Sequence, residues 1–434
     1  MRPYHMNKNI VTLSLSFLAM LSLSTGHAQT AAGKADRFVD ALLKKMTLAE
    51  KVGQLCQYVG GDYLTGPQSE ALNDSLIAKG LAGSVLNVHG VHDIRILQEK
   101  AVQNSRLKIP LLFGYDVIHG YKTIFPVPLA ESCSWDLDLM QLSAKIAAIE
   151  TAAAGIHWTF APMVDIARDP RWGRVVEGAG EDTYLGSKIA AARVKGFQWN
   201  LGDTNAVLAC AKHFAAYGLP QAGKDYGTVD ISDRTLQDIY LPPFKACVDA
   251  GVGTFMTSFN EIAGVPSTAN RHLLKNILVD EWQFKGFVVS DWLAVDQLRA
   301  HGIAATGKDA AELAFNAGTD MDMTDGLYNK YLASLLQSGK VSIEDIDQSV
   351  RKILRAKYLL GLFDNPYKFL NTARQASTLQ KPEYRAAARD VARKSIVLLK
   401  NSNNLLPLSK TIGSVAIIGP LGNNKRELLG SWSA

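Results

Sequence analysis

The 434-residue chain has only 4 cysteines, Cys56, Cys133, Cys210 and Cys247, and no two stand in C-x-x-C spacing. That excludes a disulfide-stapled scaffold and a paired-thiolate zinc site, and the apolar neighbours of all four point to buried free thiols. Proline is scarce at 15 and the 35 glycines follow no period, so collagenous and low-complexity readings fall away. An excess of one charge is lacking too. Lys+Arg 46 against Asp+Glu 41 leaves +5 with no basic block, so no nucleic-acid partner is expected. H-E-x-x-H and G-x-S-x-G are absent, and no G-x-G-x-x-G follows an early apolar run. The sequence therefore implies no metal and no cofactor. Long apolar runs are missing as well. The longest, Ile10–Leu23, has 14 residues where a membrane span needs about 20. With Arg2 and Lys8 before it and Gly26-His27-Ala28 after it, residues 1–28 read as a signal peptide cleaved after Ala28. The mature chain would carry about +3 and be periplasmic or secreted.

What is present is alternation. Thr47 and Glu50 form a T-x-x-E capping box ahead of Val52, Leu55 and Cys56, an apolar helical face. Short apolar runs then alternate with longer helical patterns. The runs are Leu81–Val88, Ile109–Tyr115, His157–Val164, Val207–Phe214, Gly253–Phe259, Phe284–Ser290 and Ala317–Met321. Seven such units argue for an α/β fold, a (β/α)8 TIM-type barrel, with an open doubly wound sheet as the alternative. Polar residues end the runs: Asp116, Asp165, Lys212-His213, Asn260-Glu261, Asp291 and Asp320. In a barrel, strand ends converge on the C-terminal face, where sites of this architecture lie. Any one of these residues alone could equally cap a helix. Ser342-Ile-Glu-Asp starts a helix to about Leu360, Glu383–Lys400 reads as another, and Val415–Ile418 reads as a buried strand.

Several blocks carry a more specific signal. Tyr115-Asp-Val-Ile-His-Gly, the run from Phe160 through Asp165 to Arg174, Glu177-Gly-Ala-Gly-Glu-Asp-Thr-Tyr, Ala211-Lys-His-Phe-Ala-Ala-Tyr-Gly, Val288-Val-Ser-Asp-Trp and Leu421–Ala434 occur in this order. Together they resemble glycoside hydrolase family 3, and within it the bacterial periplasmic β-glucosidase branch. The resemblance implies a barrel over 39–365, a linker and helix over 366–400, and over 401–434 the incomplete start of an α/β sandwich domain. It implies retaining hydrolysis of terminal β-D-glucosyl residues without a metal. The expected partners are β-linked gluco-oligosaccharides or glucosides, together with a C-terminal domain outside this sequence.

Residue by residue, the resemblance makes Asp291 the nucleophile. A nucleophilic carboxylate must be ionised, so neighbouring cations holding its pKa low are expected. Asp116, Arg174, Lys212 and His213 match positions that hold sugar hydroxyls. Met256 and Phe259 match strand-end positions lining the glucose subsite, and Trp292 is suited either to stacking on a sugar or to packing. Arg168 and Arg171 are expected to pair with Asp169 and other loop acids. His89, His92, His119 and His301 form no ligand set and are expected in surface or loop roles. Lys212-His-Phe-Ala-Ala-Tyr-Gly lacks the catalytic histidine of the family's N-acetylglucosaminidases, which disfavours that activity. Glu177, Glu181 and Glu261 match structural or subsite positions. The resemblance places the acid/base glutamate in the second domain, so it is expected outside this chain. A sugar-binding remnant, a β-xylosidase specificity, and a metal-dependent hydrolase using His213, Asp116 and Asp291 remain as alternatives.

Overall fold

The computed structural model describes residues 33–60 and 74–433, so the signal-peptide reading over 1–28 lies outside the described residues. Residues up to Met46 form a separate compact unit, seen as a helix over 33–43. The remainder, from Thr47, forms the second unit. Its opening capping box forms as expected: the Thr47 hydroxyl accepts the Glu50 N–H, and the Glu50 carboxylate accepts the Thr47 N–H at 2.8 Å. That box starts helix α1, Leu48–Gln54. The chain then passes straight into strand β1, Cys56–Val59, every residue buried. Sequence reading placed Leu55 and Cys56 on the helix face and missed this strand. A short run buried on both faces has no alternation to distinguish it from helix.

The other parallel strands fall in or next to the seven apolar runs: β2 Ser84–Leu86, β3 Leu112–Tyr115, β4 Trp158–Thr159, β5 Cys210–Phe214, β6 Thr254–Thr257, β9 Phe287–Val289 and β10 Asp322–Met323. A small antiparallel hairpin, β7 Glu261–Ile262 and β8 Val265–Pro266, interrupts the series after β6. The parallel pairs run β10-β1-β2-β3-β4 and β5-β6-β9. Single parallel bridges, Trp158 to Leu208 and Val289 to Met321, link the two sets at both ends. Helices such as Val91–Asn104, Leu137–Ala153, Thr183–Phe197 and Gly307–Ala317 connect successive strands, giving an α/β fold on a curled parallel sheet.

The curl is visible in the packing. Trp158 of β4 meets Phe287 of β9 edge-to-face at 5.1 Å and donates its indole N–H to Thr254 of β6 at 2.8 Å, although neither strand is its ladder neighbour. Strand β9 comes up against β6 because Gly286 has no side chain; a Cβ there would lie 1.9 Å from the Gly253 carbonyl oxygen. No helix among the described residues is long and apolar enough to cross a membrane.

Four expectations are corrected. Cys133 is exposed, while Cys56, Cys210 and Cys247 are buried, and all four are free thiols. Asp320 does not end a strand: it precedes β10, accepts the Val288 N–H and pairs with Lys352, so it ties β9 to helix Ile343–Leu359. Val415–Ile418 forms no strand and lies exposed, Ile418 at 93%, because no described strand offers it a ladder. The segment after Leu360 is more than a connector. Arg374 donates to the carbonyls of Ala152 and Phe369, and Val391 of helix Pro382–Lys394 packs among Phe125, Leu139 and Ile146. That helix ends at Lys394, short of the expected Lys400.

Candidate functional site

Strand ends and the loops after them enclose a cleft of about 830 Å³, within the range typical of small-molecule sites. Asp116, Arg174, Lys212, Met256, Phe259, Asp291 and Trp292 all line it, and His213 lies directly behind them.

Asp291 follows β9 by two residues. Ser290 fixes the turn, donating its N–H to Met321 O and accepting the Met323 N–H on its hydroxyl at 2.9 Å. The Asp291 Oδ1 accepts the Trp292 N–H at 2.7 Å, while Oδ2 accepts no hydrogen bond from the described residues. The expected low pKa is not found. Burial pushes the Asp291 carboxyl up to about 6, and Arg174 and Lys212 offset only part of that cost.

Strand β5 delivers the Lys212-His213 pair. The two side chains take different partners beside the same cleft, Asp116 for Lys212 and Asp165 for His213. The Lys212 Nζ donates to Asp116 Oδ1 at 2.6 Å, and its side chain is 3% exposed, so the buried ammonium is charge-paired. His213 meets Asp165, Arg174 and Asp291. Arg174 Nη2 lies 2.9 Å from His213 Nε2 and can only donate, so Nε2 is the acceptor and Nδ1 carries the hydrogen directed at Asp165 Oδ2, 2.8 Å away. Burial, then Arg174 and Lys212, hold the His213 pKa well below its usual value, so the ring is neutral. Its Nε2 lies 3.5 Å from Asp291 Oδ2.

Arg174 sits on the 3-10 turn Gly173–Glu177, whose three-residue period places Arg174 and Glu177 side by side. Arg174 grips Glu177 through Nε at 2.7 Å and Nη2 at 3.1 Å. Burial raises the Glu177 carboxyl, but Arg174, Lys212 and Trp432 outweigh it and the net shift is downward. On the apolar side, Phe259 packs in a cluster with Met163, Trp172 and Tyr217, and Trp292 packs against that cluster while also lining the cleft. Of the two roles weighed for Trp292, packing is observed, and its place on the cleft wall keeps the stacking role open to a sugar. Arg171 pairs with Asp169 as expected, whereas Arg168 hydrogen-bonds Tyr240.

Sequence reasoning missed Tyr226 and Trp432 as parts of this site, and it gave Asp165 only as a run end and Glu177 only as a structural or subsite position. Asp165 carried a signal, since it ends an apolar run as Asp116 and Asp291 do. Of the surface or loop roles expected of His119 the structure gives the loop one: it is 3% exposed and bonded to Phe125 O and Ser431 O. Of the glutamates considered, only Glu177 lines the cleft; Glu261 accepts from Thr228 and faces His301. Among the described residues no group of three His, Cys, Asp or Glu is placed to hold a metal ion.

Residues 47–356 match the glycosyl hydrolase family 3 N terminal domain. The chain is 46% identical over 404 residues to the periplasmic beta-glucosidase of Salmonella typhimurium, covering 92% of this chain and 52% of that protein. It is 36% identical over 406 residues to a putative beta-xylosidase of Formosa agariphila, covering 88% of this chain and 53% of that protein. The crystal structure of beta-glucosidase from Listeria innocua in complex with glucose superposes with a TM-score of 0.84 at 39% identity, covering 92% of this chain and 56% of that one. The chain thus spans about half the length of the curated relatives it matches.

Proposed function

Since the chain belongs to glycosyl hydrolase family 3, we propose that it forms the (β/α)8-barrel portion of an exported retaining β-glucosidase, with Asp291 as nucleophile. The observation carrying this reading is the Asp291 carboxylate, one oxygen anchored by the Trp292 N–H and the other unbonded in a cleft between Arg174 and Lys212. The relatives named beta-glucosidase and the glucose complex of the Listeria protein support it.

In the first step Asp291 Oδ2 attacks the anomeric carbon, the glycosidic C–O bond breaks, and the leaving oxygen takes a proton from an acid. In the second step water attacks the glycosyl ester, gives up a proton to the same group and frees Asp291. Asp116 and Lys212, paired at 2.6 Å, offer a charged acceptor and a charged donor to vicinal hydroxyls, which gives stereochemical selectivity. Neutral His213, fixed in one tautomer by Asp165, supplies no competing charge near the nucleophile. Met256, Phe259 and Trp292 form the apolar wall against the sugar face. Glu177 is committed to Arg174 and kept ionised, so it is a poor proton donor. The family resemblance puts the acid/base carboxyl on the second domain, whose start is proposed at 401–434.

The xylosidase relative motivates a second specificity, since xylose differs from glucose by the absent hydroxymethyl group. Incubation with a 2-fluoro-glucoside bearing a dinitrophenyl leaving group, then peptide mass spectrometry, should place the label on Asp291. The Asp291→Ala chain should take none. Label on another carboxylate overturns the assignment, and faster labelling by the fluoro-xyloside transfers the specificity to xylose.

A further inference from the structure

Residues 402–431 are exposed and Trp432 and Ser433 half-buried, yet Arg426, Glu427, Gly430, Ser431, Trp432 and Ser433 line the cleft. Their placement is specific. The His119 ring, itself held by Phe125 O at 2.8 Å, meets the Ser431 carbonyl oxygen at 2.5 Å. Gly430 has φ 72°, a left-handed conformation, and a Cβ on it would come within 3.3 Å of the His119 ring. The segment is thereby fixed with Trp432 against the two buried charges beside the nucleophile. The Lys212 ammonium lies 5.3 Å from the Trp432 ring centroid, within cation–π range. The indole N–H donates to the Glu177 carboxylate.

We propose that Trp432 is a positioning residue of the sugar pocket: its ring face and its N–H hold Lys212 and Glu177 in register, so that the Lys212–Asp116 and Glu177–Arg174 pairs present fixed charges to the sugar. The inference rests on the sugar-pocket reading above and adds to it a wall supplied from beyond the curled sheet. An ammonium on a flexible four-carbon stem has many rotamers available. Asp116 fixes one side of it, and the indole fills the other side, where water would compete. Glu177 likewise has both oxygens on Arg174, and the Trp432 N–H adds a further donor to the ionised carboxylate.

The test compares the 434-residue chain with Trp432→Ala, Trp432→Phe and His119→Ala. One readout is independent of sugar: acetylation of Lys212 by acetic anhydride, followed by peptide mass spectrometry. Trp432→Ala should raise Lys212 acetylation about fivefold. Trp432→Phe, which keeps a ring over the ammonium, should restore protection to within about twofold, and His119→Ala, which frees Ser431, should behave like Trp432→Ala. The second readout is glucose binding by calorimetry, expected to weaken about tenfold in Trp432→Ala and about threefold in Trp432→Phe. Unchanged Lys212 acetylation in Trp432→Ala overturns the proposal. Raised acetylation with unchanged glucose affinity overturns its sugar half. If the unsubstituted chain binds no glucose while acetylation still responds, Trp432 positions Lys212 and it is the sugar reading of the cleft that fails.

Discussion

At Asp291, loss of water raises the carboxyl while Arg174, Lys212 and the Trp292 N–H lower it, and the balance lies at about 6. This has a stability consequence with a definite sign. The folded-state value lies above the usual carboxylate value, so folding disfavours the ionised form. The cost is absent below about pH 4, grows between the two values and is complete above about pH 6. Asp291→Asn keeps an acceptor for the Trp292 N–H and removes the buried charge. It should therefore stabilise the chain by about 2–3 kcal/mol at pH 8 and by almost nothing at pH 4, read from urea midpoints. An equal effect at both pH values would show that Asp291 titrates normally. The same value sets a kinetic expectation: if Asp291 is the nucleophile, as proposed, the acid limb of fluoroglucoside labelling should fall near pH 6, where Asp291 gains its proton. Asp116, Lys212, His213 and Asp291 were legible in the sequence because each ends an apolar run. Which residue pairs with which was not. Arg174 reaches His213 across 39 positions and His119 reaches Ser431 across 312, separations that no local periodicity records.

Between elements, one buried ion pair supports the loop that carries Asp116. Glu131 on helix Pro128–Ser132 accepts from Arg193 on helix Thr183–Phe197 at 2.8 Å and from Ser143 on helix Leu137–Ala153 at 3.1 Å, and Arg193 also donates to the Ile118 carbonyl. Both charged side chains are at most 5% exposed. Burial pushes the Glu131 carboxyl up to about 7, with Arg193 and Ser143 offsetting part of the rise, so this carboxyl can shed its charge near neutrality. A guanidinium cannot do so. The two halves of the pair are therefore unequal when broken. Glu131→Leu strands a permanent charge and should cost about 3–5 kcal/mol at pH 6, and less at pH 8, where the buried carboxylate itself carries a desolvation cost. Arg193→Leu leaves a carboxyl that takes up a proton, so it should cost about 1–2 kcal/mol at pH 6, chiefly the lost bond to Ile118, and more at pH 8. Urea denaturation at the two pH values tests this; equal costs at pH 6 would count against it. The parallel strands were readable except β1, which follows its helix without a turn signal, and β10, which begins just past its run because that run breaks at Gly318-Thr319; the β7–β8 hairpin was not read.

Across the whole molecule the apolar surface is unevenly placed. Ile396, Leu399, Ile417, Ile418 and Leu428 are each at least 78% exposed, on a stretch that buries almost nothing. Large exposed apolar patches on a soluble chain promote association. The 434-residue chain should therefore self-associate as its concentration rises, whereas a chain cut after Ser395 should remain monodisperse by light scattering. Cutting earlier, after Leu360, should fail, because helix Pro382–Lys394 covers Phe125, Leu139 and Ile146, and Arg374 satisfies buried carbonyls. Opening that much apolar surface costs about 25 cal/mol per Å². The cut after Ser395 also removes Trp432, so its gain in solubility should come with the glucose affinity of Trp432→Ala, tying the exposed stretch and the cleft to one segment. Catalysis separates along the same line. If the acid comes from outside this chain, as proposed, hydrolysis of disaccharides should fall on the order of 10²–10⁴-fold below that of a full-length relative, while a dinitrophenyl glucoside, whose phenolate leaves unprotonated, should still glycosylate the proposed nucleophile Asp291 in both chains. Disaccharide turnover by the 434-residue chain at the rate of such a relative would place the acid among the cleft carboxyls, with Glu427 and Glu177, both lining it, the first to replace by glutamine.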